Sequence, residues 1–135
     1  MLPYVRAVGL LSLAALASGC GADASTTLRA LGSWAATGAM AGRAWADGAI
    51  PRAYTTRTLD RVKRELAEQE RELGTLPAST RTAVTPVTAR VVRSTREMTD
   101  AVRAGDRGRT RALAETLGAD ARRLQQLAAG PPGPS

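Results

Sequence analysis

One thiol, two indoles and nineteen basic side chains are the residues of this chain whose type and spacing suggest chemistry. Cys20 is the only cysteine, and it ends an apolar run behind two small residues, Ser18 and Gly19. A lone thiol closes no internal disulfide and builds no zinc or iron–sulfur cage. There is no histidine, which removes the imidazole base and the commonest metal ligand. The Glu-x-x-His pairs of di-iron bundles are absent for the same reason. Serine and threonine are plentiful, but nothing pairs them with a base. Lys63 sits in a run of charges, not in an apolar pocket that would depress its pKa. Gly105-Asp106-Arg107-Gly108 reads as a helix break, not a nucleotide loop. The expectation is a protein that is not an enzyme and uses no metal and no cofactor.

Residues 1–19 read as an export signal. Arg6 is the only charge before the apolar run Ala7 to Ala17, which is far short of the roughly 20 residues that span a bilayer as a helix. Leu16-Ala17-Ser18-Gly19-Cys20 resembles the lipobox of bacterial lipoproteins. The resemblance covers about residues 1–21. It implies cleavage between Gly19 and Cys20, diacylglycerol on the Cys20 thiol and acylation of its new amino group, and such multiple chains anchor stably. Ala17 departs mildly from the leucine typical of that position. Gly21 is not the Asp of the family's inner-membrane retention signal, which implies the outer membrane in a two-membrane cell. The competing reading is general signal-peptidase cleavage after Gly19 or Ala22, with Cys20 a free thiol or lost.

These residues must be positioned by helices. Leu31, Trp34, Gly38, Ala41 and Trp45 fall at alternating steps of three and four, the seam of a helix over about 26–47. Ser25 or Thr26 is its expected N-cap. Gly32, Gly38 and Gly42 each cost about 1 kcal/mol against Ala in a helix, which suggests that a neighbouring backbone approaches there. Leu59, Val62, Leu66, Gln69 and Leu73 place a second helix over about 51–73, stopped by Gly74 and Pro77. Val84, Val87, Val91, Ser94, Met98 and Ala101 place a third over about 77–104, with a kink expected at Pro86. Leu113, Leu117, Ala121, Leu124 and Leu127 place a fourth over about 107–129, capped by Asp106 after the Gly105 stop. Short Gly/Pro breaks join segments of similar length, so the fold class is all-α: an up-down-up-down four-helix bundle after an N-terminal signal peptide. The division is a signal peptide at 1–19, a lipidated tether at 20–25, the bundle at 26–129 and a disordered Pro/Gly tail at 130–135.

Residues 20–135 hold ten Leu, six Val and one Ile, a thin apolar stock for a core. Closely approaching helices are expected, with a second copy or a partner as a way to complete the core. Trp34 and Trp45 are nearly in phase, with Gly38 and Ala41 between them. They make either two core anchors or the walls of a groove for a lipid chain or partner helix. The charge is uneven. Residues 79–135 carry ten basic and five acidic side chains, against eight and seven in residues 21–78. Arg93, Arg96, Arg103 and Arg107 fall near one face and could meet anionic lipid or a cell-wall polymer. The alternative is a solvated face, partly neutralised on the second helix by pairs such as Arg61–Glu65 and Arg64–Glu68. No nucleic-acid recognition motif is present.

The resulting expectation is a lipid-anchored interaction or scaffold module of the bacterial cell envelope. It meets the membrane through acylated Cys20 and an envelope protein through the bundle. The alternatives are a small-molecule or lipid binder, or periplasmic chaperone-like protein, on the Trp34/Trp45 face, and a basic binder of anionic lipid or cell-wall polymer.

Overall fold

The computed structural model describes the backbone of residues 15–130 and side chains from Ala24 to Gly130. Residues 1–14 of the expected signal and residues 131–135 of the expected tail lie outside the described residues, and Gly19 and Cys20 are described by backbone alone. Four helices follow one another: α1 Ala15–Ala46, α2 Arg52–Leu73, α3 Ala78–Arg103 and α4 Arg107–Ala129. They form an all-α four-helix bundle. Around the bundle α1 packs on α2 and α4, and α3 packs on α2 and α4, while α1 also reaches α3 across the diagonal.

The breaks are where local chemistry puts them. Gly48 and Gly105 take φ of 77° and 74°, a left-handed conformation that lets the chain reverse within a few residues. The Asp106 carboxylate accepts the Arg109 backbone N–H at 2.9 Å, capping α4. Pro51 and Pro77 precede α2 and α3 in extended conformation, and neither helix has a side-chain cap.

One boundary corrects the sequence reading. Helix α1 starts at Ala15, so residues 20–25, expected as a tether, are helical. Ser25 and Thr26 lie inside it, well past its first turn. The Ser25 hydroxyl instead donates to the Ala128 carbonyl at 3.2 Å, tying α1 to the last turn of α4. Helix α3 runs unbroken through Pro86. The Thr85 hydroxyl donates back to the Arg81 carbonyl at 2.6 Å.

The core is continuous. Leu31, Leu59, Leu66, Leu117 and Leu124 are fully buried, each contributing about 1.5–3 kcal/mol by leaving water. Small residues decide how near the helices come. A Cβ on Gly32 would stand 3.2 Å from the Ala121 carbonyl oxygen, so the backbones of α1 and α4 approach closely there. At Gly38 and Gly42 the intruders are side chains instead. Leu117 and Val62 fill the space over Gly38, and Met98 of α3 reaches across the diagonal onto Gly42. Helices α1 and α4 share the largest contact, and α2 and α3 the smallest of the neighbouring pairs.

Candidate functional site

At one end of the bundle α1 finishes and α4 begins. The last carbonyls of a helix have no partner of their own and carry the negative end of its dipole. Two arginines of α4 supply both hydrogen bonds and charge. Arg107 Nη1 donates to the Trp45 carbonyl at 2.8 Å and the Ala46 carbonyl at 3.3 Å. Its guanidinium carbon lies 5.0 Å from the centroid of the Trp45 ring. Arg111 Nη2 donates to the Ala46 carbonyl at 3.2 Å and to Asp47 Oδ1 at 2.8 Å.

This corrects the expected anion-binding face. The break after α3 carries Arg107 onto another helix, where its fork is already engaged. Arg103 leans on Asp60 at 3.8 Å, beside the Asp60–Lys63 pair at 2.9 Å. The Lys63 hydrogen bond, more than the nearby arginine charges, holds the Asp60 carboxyl below its usual range. Among the described residues, Arg93 and Arg96 are the two of these four arginines that are exposed with neither an ion pair nor a hydrogen bond like those of Arg107.

The tryptophan face is packed. Trp45 is 3% exposed and Ala41 is buried. The space over Gly38 is taken by Leu117 and Val62, so no groove floor opens between the indoles. Trp34 is half-buried, with the Arg61 guanidinium carbon 5.4 Å from its ring centroid. Arg61 also reaches Glu65 at 4.0 Å, as its spacing suggests, whereas Glu68 pairs with Arg71 at 3.2 Å and not with Arg64. Among the described residues no three His, Cys, Asp or Glu side chains gather as metal ligands.

No protein-family model, curated protein or solved structure matches this chain. The functional reading therefore rests on the chain's own sequence and geometry.

One feature the sequence did not signal lies on the opposite half of the bundle. Where α2 and α3 make their sparse contact, a cleft of about 240 Å³ opens among Glu70, Leu73, Arg81, Thr85, Thr88 and Ala89. Thr88 is 3% exposed, and its hydroxyl is buried without a hydrogen-bond partner. Four other buried helical threonines behave differently. Thr55, Thr95, Thr99 and Thr110 each donate to the carbonyl four residues back, at 3.0, 2.7, 2.8 and 2.8 Å. On the far side of α3, Arg90 grips Asp120 of α4 at 3.0 Å, and this bond raises the Arg90 pKa.

Proposed function

We propose that this chain is a lipid-anchored, non-enzymatic helical-bundle protein of the bacterial cell envelope that presents its surface to an envelope partner. The observation that carries the reading is the Leu16-Ala17-Ser18-Gly19-Cys20 sequence, which falls within the first two turns of α1, the most heavily packed helix of the bundle.

The geometry supports it in two ways. Among the described residues no helix is long and apolar enough to cross a membrane, and in this reading attachment is through the acyl chains on Cys20. Ala24 already packs against the core, so the bundle sits close above its anchor. From Cys20 to Ala46 a helix rises about 39 Å. An upright bundle would hold Arg52, Arg103, Arg107 and Arg109 that far from the membrane. This favours an anionic partner or cell-wall polymer over the headgroups of the anchoring membrane.

The test is fatty-acid labelling in a bacterial host, run on wild type and Cys20→Ser, with cross-linking and mass spectrometry of captured neighbours. The expected result is an acylated, membrane-bound wild type with a reproducible neighbour, and an unlabelled Cys20→Ser that loses it. An unacylated wild type overturns the anchor. An acylated wild type with no neighbour overturns the interaction role.

A further inference from the structure

We propose that the α2/α3 cleft binds a small free zwitterion of the α-amino-acid class, with its carboxylate on Arg81 and the Thr88 hydroxyl and its ammonium on Glu70. Three observations converge. The Thr88 hydroxyl is buried beside the cleft without the back-bond that Thr55, Thr95, Thr99 and Thr110 make, so it lacks a partner that a ligand could supply. Arg81 and Glu70 stand at the same cleft with opposite charge, and neither has an ion-pair partner among the described residues. The helix ends agree with that polarity. Glu70 and Leu73 lie in the last turn of α2, the end whose carbonyls favour an ammonium. Arg81 lies in the first turn of α3, which has no side-chain cap and no acidic residue and so favours a carboxylate. Leu73 and Ala89 leave apolar wall for a small side chain.

The size suits a single amino acid. The assignment is independent of whether Cys20 is acylated.

The experiment is an NMR titration of the full-length chain in detergent micelles with alanine and with leucine. Saturable shifts are expected at the amides of Leu73, Gly74, Thr85, Thr88 and Ala89. Acetate and methylammonium, each offering half of the charge, should bind at least about tenfold more weakly. Arg81→Gln and Glu70→Gln should each weaken alanine or leucine at least about tenfold, with the circular dichroism of both variants unchanged. Thr88→Val replaces the hydroxyl with a methyl of similar shape. It should weaken binding and raise the Tm of the unliganded protein, because an orphaned hydroxyl is removed; this separates lost binding from lost folding. Shifts that never saturate, or equal affinity in all three variants, overturn the proposal. So does saturation by O-phosphoethanolamine alone, which would assign the cleft to a lipid headgroup.

Discussion

Arg107 covers Trp45 twice: its guanidinium lies 5.0 Å from the centre of the indole, and one of its nitrogens donates to the carbonyl of the same residue at 2.8 Å. A side chain from the first turn of α4 thus closes both the ring and the backbone at the end of α1. Arg107→Ala should lower unfolding stability by about 1–2 kcal/mol, the sum expected of a lost cation–π contact and a lost helix-end charge. Arg107→Lys keeps the charge and loses the fork, so it should fall between. Urea unfolding followed by tryptophan emission checks both. A variant as stable as wild type would show that the contact contributes nothing.

Two glycines of similar helix context should respond oppositely to alanine. A Cβ on Gly42 would overlap the Met98 thioether, a fully buried side chain that would have to shift. The gain in helix propensity is about 1 kcal/mol, and overpacking costs about 1–3 kcal/mol, so Gly42→Ala should destabilise. Gly118 has its nearest neighbours at 3.8 and 3.9 Å, an ordinary contact. Gly118→Ala should therefore stabilise by up to about 1 kcal/mol. Thermal unfolding of the two variants side by side measures the contrast, and combining Gly42→Ala with Met98→Ala should show non-additive coupling.

Pro86 lies in the interior of α3 on its exposed side and leaves one backbone carbonyl without its helix donor. Because the helix passes through it unbroken, Pro86→Ala should add about 2–3 kcal/mol of stability. Equal or lower stability of the variant would mean that the proline is required by the fold.

The Asp60 carboxyl is held below its usual range, first by Lys63 and then by nearby arginine charge. A depressed folded pKa contributes stability above the unfolded value, and that contribution is lost as the pH falls through the folded one. Wild type should therefore exceed Asp60→Asn in stability at neutral pH, and the two should converge at acid pH below the ordinary carboxylate range. The difference should be small, because Asp60 is 36% exposed and surface pairs are weak. Urea midpoints across the acid limb provide the measurement.

Much of the fold is legible in the sequence because the signals are local. Every α3 position assigned to the seam, from Val84 to Ala101, is buried. The break at Gly105 and the cap at Asp106 follow from backbone chemistry within a few residues. The start of α1 was misplaced because Ser25 and Thr26 have the composition of a cap but lie mid-helix, where Ser25 bonds to α4 instead. The four-arginine face failed for a related reason. Its spacing is that of one helix, and α3 ends at Arg103 before the fourth member.

The sequence by itself determined where helices form, where three of them start and stop, and which large apolar residues turn inward, since these depend on side-chain periodicity and on Gly, Pro and Asp at fixed offsets. It also contains the Cys20 pattern on which the proposed anchor rests. Only the tertiary structure decided the fate of the small and the charged residues. Whether Gly42 is open or filled depends on Met98, which lies on a helix across the bundle. Whether Arg107 is free or engaged depends on where α1 ends beside it. The Thr88 cleft exists because α2 and α3 pack less closely than α1 and α4, and that spacing is set by all four helices together.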